Sequence, residues 1–160
     1  MRTPPANPPP MRMTRPLILG TLLALGALPV SARAAVSVAG GGYVQNSPSA
    51  SGLAGIVSTG ASIPAVPLEV QGSLLVPFTG QGGYAATAEI RGFTGGGFGG
   101  AYIGAGAGIG NLSSDRSTGT IFTIFAGKSI APLTSIEFRF YKQTQSSGST
   151  AGFVGVRFSL

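Results

Sequence analysis

The chain has 160 residues, a formal net charge of +6, and neither cysteine nor histidine. Without His or Cys it cannot build a His-assisted serine or cysteine nucleophile, and it lacks the usual ligands of transition metals. Charged residues make up only 9% of the sequence, against about 25% in ordinary soluble domains. The composition therefore predicts no enzyme, no cofactor and no metal site, and it disfavours a soluble monomer.

The first 34 residues predict a cleaved signal peptide. Arg12 and Arg15 precede an apolar run from Leu17 to Val30, and Ser31–Ala34 supplies a cleavage site of small residues. This run of 14 residues is shorter than the roughly 20 that a membrane-spanning helix needs. We therefore expect export, with cleavage after Ala34.

Cleavage there changes the charge of the protein. It removes 34 of the 160 residues and leaves 126, residues 35–160, which is enough for one domain. Four of the ten basic residues leave with the leader, so the net charge falls from +6 to +2. The basicity of the precursor therefore gives little support to nucleic-acid binding. Met11 and Met13 are alternative starts, because the Pro-rich residues 1–10 do not resemble a signal.

After the leader, eight segments alternate apolar and polar residues with a period of two, the pattern of half-buried strands. Each has 9 to 12 residues, close to the 9–11 or so that a tilted strand needs to cross a membrane. The segments are 36–44, 53–62, 68–78, 83–92, 99–110, 119–128, 134–144 and 150–160. Gly and Ala dilute the pattern in the second and fifth, and residues 104–108 also fit a low-complexity linker.

In the clearest segments one face, opposite the apolar residues, carries Glu69, Glu89, Arg91, Glu137, Arg139 and Arg157. An exposed charge near the middle of a bilayer costs about 2–4 kcal/mol, so these charges are expected to point into a barrel. Counting back from the turns places Glu69 opposite Arg91 and Glu137 opposite Arg157, pairs of opposite sign that cross-strand packing favours. Arg139 lies on the same face, and we expect all five to form ion pairs in the barrel interior.

Aromatic residues near the ends of the predicted strands indicate a partial girdle at the membrane interfaces. The set is Tyr43, Phe78, Tyr84 and Phe140 toward one rim, and Phe93, Phe98 and Phe158 toward the other. In the fifth segment, alternate glycines are expected to line the interior opposite Tyr102 or Tyr141, which places Ile103 and Ile109 outside.

The final segment ends in Gly155-x-x-Phe158-x-Leu160. This ending, the signal peptide, the alternating strands and the inward charge pairs resemble the small eight-stranded outer-membrane β-barrels of the OmpX and OmpA-transmembrane-domain type. The resemblance implies an all-β fold, an eight-stranded antiparallel up-and-down transmembrane β-barrel preceded by a cleaved signal peptide. It also implies that Gly155, Phe158 and Leu160 form the assembly signal, although such proteins usually end in an aromatic residue.

The function implied by the resemblance is that of a non-enzymatic integral protein in the outer membrane of a Gram-negative cell, with a structural or surface-interaction role. Its expected partners are the lipid bilayer and, during biogenesis, the barrel-assembly machinery and periplasmic chaperones. A monomer without a conducting pore is expected. Two alternatives stay open: a secreted soluble β-barrel that binds a small apolar ligand, and a Gly/Ser-rich subunit of a surface fibre or adhesin.

Overall fold

A computed structural model describes most of the chain beyond the predicted leader. The described residues are 34–46, 49–63, 65–78, 83–94, 100–112, 117–144 and 148–160. The predicted signal peptide up to Arg33, and Phe98 of the predicted girdle, lie outside them. None of the described residues form a helix long and apolar enough to cross a bilayer.

Within the described residues the chain forms eight strands, at the places where alternation predicts them. They are β1 (Ala34–Asn46), β2 (Ser49–Ser62), β3 (Leu68–Pro77), β4 (Tyr84–Thr94), β5 (Ala101–Asn111), β6 (Gly119–Ala131), β7 (Thr134–Gln143) and β8 (Thr150–Ser159). The linker interpretation of residues 104–108 is wrong, because they lie inside β5 and pair with both β4 and β6.

Every strand pairs antiparallel with its neighbours in sequence, and β1 also pairs with β8, which closes the barrel in the order β1 to β8. Closure gives each of the eight described strands a hydrogen-bonded partner on both sides. The described ends of the chain and the β2–β3, β4–β5 and β6–β7 connections lie at one end of the barrel, and the other connections lie at the opposite end. The all-β, up-and-down architecture is therefore confirmed.

The outer surface of the barrel is apolar, whereas the interior holds buried charged residues together with a cluster of buried apolar ones that includes Ile56, Leu75 and Phe153. Side chains alternate across each strand, so residues two apart share a face. On β5, Tyr102 is buried in the interior, whereas Ile103 is 66% exposed on the outer surface. On β7, Glu137 is buried and its neighbour Phe138 is 58% exposed. The outward placement of Ile103 and Ile109 agrees with the sequence prediction.

Two members of the predicted aromatic girdle face the interior instead. Tyr43 is 1% exposed and donates a hydrogen bond of 2.9 Å to Oε1 of Gln45. Phe93 packs against Tyr102, with ring centroids 6.0 Å apart. Placement near a strand end does not determine the face, which follows from the alternation: Tyr43 shares the parity of buried Gln45, and Phe93 that of buried Arg91. The girdle prediction was wrong for these two residues.

The glycines of β5 make room for large interior side chains of neighbouring strands, but Tyr102, one of the two predicted, is not among the nearest of these. A Cβ on Gly104 would overlap the ring of Phe125, and a Cβ on Gly106 would overlap the side chain of Glu89. Tyr102 instead lies across Gly127 of β6. Glycines in the barrel wall thus lie next to bulky interior side chains. The space they leave allows the small barrel to hold charged and aromatic side chains together.

Candidate functional site

Six charged residues from β3, β4, β7 and β8 lie inside the barrel, and each is no more than 6% exposed. They are Glu69, Glu89, Arg91, Glu137, Arg139 and Arg157. Three carboxylates and three guanidinium groups give the set no net charge. A buried charge is costly unless it is paired and hydrogen-bonded, so the contacts among these six decide whether the interior is stable.

Glu137 is the centre of the larger group of contacts. Its Oε1 accepts a hydrogen bond of 2.5 Å from Nε of Arg139. Its Oε2 accepts one of 3.0 Å from Nη1 of Arg157 and one of 2.8 Å from the hydroxyl of Tyr102. Arg139 also donates from Nη1 to Oε1 of Glu89 at 2.6 Å. We call Glu89, Tyr102, Glu137, Arg139 and Arg157 the Glu137 cluster.

Polar residues of β3 and β4 complete the surroundings of Glu89. Its Oε2 accepts hydrogen bonds from Nε2 of Gln71 at 2.5 Å and from Oγ of Ser73 at 2.9 Å. Its Oε1 also accepts one of 2.6 Å from Oγ1 of Thr87. Gln71 in turn accepts a hydrogen bond of 2.9 Å from Nη2 of Arg157. The network therefore crosses the barrel from β7 and β8 to β3 and β4.

Glu69 and Arg91 form a separate pair nearer the end where the chain termini lie. They face each other directly in the β3–β4 register, and Nη2 of Arg91 lies 2.7 Å from Oε2 of Glu69. The Arg91 guanidinium also lies 4.9 Å from the ring centres of Phe93 and Tyr102, within the range of cation–π attraction.

The predicted register of the last hairpin was wrong by two residues. Glu137 faces Gly155, and Arg157 faces Ser135. A shift of two preserves the face on which each side chain lies, and long side chains reach diagonal neighbours on the adjacent strand. Arg157 therefore contacts Glu137 diagonally rather than directly.

The sequence places Arg91 near Glu89, but it does not predict the arginine that contacts Glu89 in the structure. Because Glu89 lies on the same face as Arg91, the alternation predicts that it points into the barrel. Its partner Arg139 lies 50 residues away in sequence and on a strand that β4 does not adjoin. Pairing between neighbouring strands could not reveal this contact.

The residues of the predicted assembly signal lie on different faces of β8. Phe158 is 49% exposed and Leu160 is 78% exposed, both on the outer side. Gly155 faces inward and pairs with Gly41 of β1, where a Cβ would overlap the backbone of Gly40. The backbone N–H of Leu160 donates to the carbonyl of Val36 at 2.8 Å, so the chain end is paired up to its last residue.

The interior offers little chemistry beyond ion pairing. Each Glu among the described residues accepts at least one side-chain hydrogen bond from Arg, Tyr, Ser, Thr or Gln. The part of the chain that the structure describes contains no group of three or more His, Cys, Asp or Glu residues that could hold a metal ion. The arrangement ties strands together across the lumen and fills it with side chains, as the narrow interior of an eight-stranded barrel allows.

Eight antiparallel strands in a closed order are the fold of small outer-membrane β-barrels. The solved structures that this chain resembles include the following three. The Neisserial surface protein A is 14% identical over 81% of this chain and 98% of its own, with a TM-score of 0.62. The N-terminal β-barrel domain of Pseudomonas aeruginosa OprF is 18% identical over 81% and 100%, with a TM-score of 0.56.

The third is Ail, the attachment invasion locus protein of Yersinia pestis, solved with the heparin analogue sucrose octasulfate. It is 13% identical over 81% of this chain and 99% of its own, with a TM-score of 0.55. No protein-family model and no curated protein matches the chain. The structural likeness confirms the expected resemblance to small eight-stranded outer-membrane barrels at the level of fold.

Proposed function

We propose that this chain is a non-enzymatic integral protein of the outer membrane, with a structural or surface-interaction role. The observation that carries the proposal is the inverted polarity of the barrel. Large apolar side chains such as Leu53, Ile103 and Ile124 are more than 60% exposed outside, while the charged residues of the strands β3, β4, β7 and β8 point mainly inward. Burying that outer surface in hydrocarbon is favourable, whereas exposing it to water is not.

The same observation argues against the two alternatives. A soluble barrel would carry its polar side chains outside, whereas the outer surface here is apolar and Glu89, Glu137 and Arg139 lie inside. A fibre subunit needs strand edges to join its neighbours, and β1 is hydrogen-bonded to β8 instead. The side chains inside the barrel also favour a protein without a conducting pore. Bilayer recordings of the purified protein should therefore show no stable steps in the current.

A surface role draws support from the kinds of protein that share the fold. One is named as a surface protein and another as an attachment protein in complex with a heparin analogue. For this chain we propose an outer-membrane location after export and removal of residues 1–34. The ends of the strands opposite the termini would then face the outside of the cell.

Gel mobility of the membrane fraction tests the proposal. A folded transmembrane barrel should resist detergent at room temperature and migrate faster before boiling than after it. The sample should also require detergent for extraction, and the mass of the purified protein should correspond to a chain beginning at Ala35. Recovery as a soluble monomer without detergent, with identical mobility before and after boiling, would refute the membrane location.

Truncation tests the proposed assembly signal. Removing Phe158, Ser159 and Leu160 should abolish insertion while export continues, because the signal peptide is unchanged. Phe158→Ala can be compared with Phe138→Ala, which removes a similarly exposed phenylalanine from the adjacent strand. We expect the Phe158 variant to accumulate in the periplasm and the Phe138 variant to reach the membrane. Equal insertion of the two would show that Phe158 has no special role.

A further inference from the structure

An apolar groove of about 720 Å³ crosses the outer surface of β6, β7, β8, β1 and β2. Its lining includes outward-facing Val44, Ile124, Phe138 and Phe140, together with the inward-facing residues between them. Inward-facing residues such as Arg139 are buried, so the accessible surface of the groove comes from the outward side chains. The groove therefore opens toward the surrounding medium rather than into the barrel.

Two outward glycines account for the depth of the groove. Gly152 of β8 pairs with Val44 of β1, and Gly42 of β1 pairs with Val154 of β8, so the glycines are diagonal neighbours. Phe140 of β7 lies beside Gly152 in the same row. The phenylalanine rings of β7 project from the outer surface, whereas the two glycines have no side chain. The groove is the space left beside the rings.

A lysine lies beyond one end of this groove. Among the described residues, the charged side chains that face outward are Lys128 and Lys142, and neither forms an ion pair there. Lys142 follows Phe140 on the same face of β7, about 7 Å farther along the strand, between Thr150 and Phe122 of the adjacent strands. It lies toward the end of the barrel opposite the chain termini, whereas Lys128 lies toward the other end.

We propose that the groove and Lys142 together bind one phosphate-bearing glycolipid of the outer leaflet, such as lipid A. One acyl chain occupies the groove, and a phosphate of the headgroup contacts the ammonium of Lys142. This inference rests on the proposed function, because it requires Lys142 to lie at the outer leaflet. A second copy of the chain is disfavoured as occupant, because facing grooves would bring two unpaired lysines together without an anion.

The structure supplies matched variants for each part of the site. Lys142→Gln removes the cation, and Lys128→Gln removes the outward lysine at the opposite end. Gly42→Val fills the groove, because a Cβ there would contact only Val154, at 3.9 Å from its Cγ1 and 4.0 Å from its backbone oxygen. Gly40→Val adds the same side chain to the same face of β1 outside the groove, where nothing lies within 4 Å.

The measurement is native mass spectrometry of the folded, processed chain in neutral detergent, titrated with bisphosphorylated lipid A, with lipid A lacking both phosphates, and with phosphatidylglycerol. The unmodified protein should retain one phosphorylated lipid. Lys142→Gln should weaken that binding roughly fivefold, the effect of about one basic residue near an anionic headgroup. Gly42→Val should weaken both lipids, and the two control variants should change binding less than about twofold.

Three results would overturn the site. Lys142→Gln could behave like Lys128→Gln, Gly42→Val could behave like Gly40→Val, or phosphatidylglycerol could bind as tightly as lipid A. Dimers that Gly42→Val dissociates would identify a second copy as the occupant instead. Gel mobility of the same samples separates the two proposals. A heat-dependent shift without lipid binding refutes only the lipid site, and the absence of that shift refutes the membrane barrel itself.

Discussion

The two groups of buried charges in the barrel differ in how they are held. Glu69 and Arg91 face each other on adjacent strands and form one ion pair. Glu137 is completely buried and accepts hydrogen bonds from three side chains, which come from β5, β7 and β8. Local register is enough to form the first group, whereas the second requires the sheet to close.

The difference has an energetic consequence. Removal of Glu69 breaks the one ion pair that it forms with Arg91. Arg91 then keeps its aromatic neighbours Phe93 and Tyr102. Removal of Glu137 leaves two guanidinium groups without their shared anion in a site that water reaches poorly. We therefore expect the Glu137 cluster to control the stability of the closed barrel and the Glu69–Arg91 pair to contribute less.

The largest expected difference in stability is between the variants that neutralise Glu137 and Glu69. Glu137→Gln keeps the shape of the side chain but should lower the free energy of unfolding by about 3–5 kcal/mol, the loss seen when one partner of a buried ion pair is removed. Glu69→Gln should cost about 1–3 kcal/mol. Urea titration of barrels folded into lipid vesicles, followed by gel mobility, measures both. Equal losses would mean that the number of partners has no energetic effect here.

Charge exchange sharpens the comparison. The double variant Glu69→Arg with Arg91→Glu should regain most of the stability that either single change loses, ending within about 1 kcal/mol of the unmodified protein. The double variant Glu137→Arg with Arg157→Glu should remain about 2–4 kcal/mol less stable, because the new arginine would face Arg139. The charges of Glu137 and Arg157 therefore cannot simply be swapped, although the pairing expected from the sequence suggests that they could. Full recovery at both positions would contradict the shared role of Glu137.

The fold followed from the sequence because it depends on a local signal. Alternation with period two located all eight strands, even where Gly and Ala weakened it in β2 and β5. The same alternation placed Glu69, Arg91, Glu137, Arg139 and Arg157 on the inward face. Face is robust to errors in register, since a shift of two residues leaves it unchanged.

Contacts across the lumen could not be obtained this way. The link from Arg157 to Gln71 joins residues 86 apart in sequence, and its geometry depends on how the closed sheet curves. The two-residue error in the β7–β8 register has a related origin, because a polar turn does not fix its own centre. Tyr43 lies inside the barrel although it is near a strand end, because the alternation along β1, and not the distance from its end, determines the face.

The smallest expected effect concerns Gly127, which lies between Tyr102 and Glu137 in one row of the barrel wall. Tyr102 crosses this glycine to donate its hydroxyl to Glu137, and its ring also lies beside Arg91. A Cβ on Gly127 would overlap the ring and hydroxyl of Tyr102, so Gly127→Ala should displace the side chain that contacts both charge groups. We expect a loss of about 1–3 kcal/mol, the usual cost of overpacking.

Gly92→Ala is the matched control for this prediction. A Cβ on Gly92 would meet Leu68 at 3.5 Å, an ordinary contact, and the change should stay within about 0.5 kcal/mol. If Gly127→Ala acts by separating Tyr102 from Glu137, then Tyr102→Phe should cost less in the Gly127→Ala background than in the unmodified protein. Strict additivity of the two changes in urea titrations would show that the glycine serves only the packing of the ring and not its hydrogen bond to Glu137.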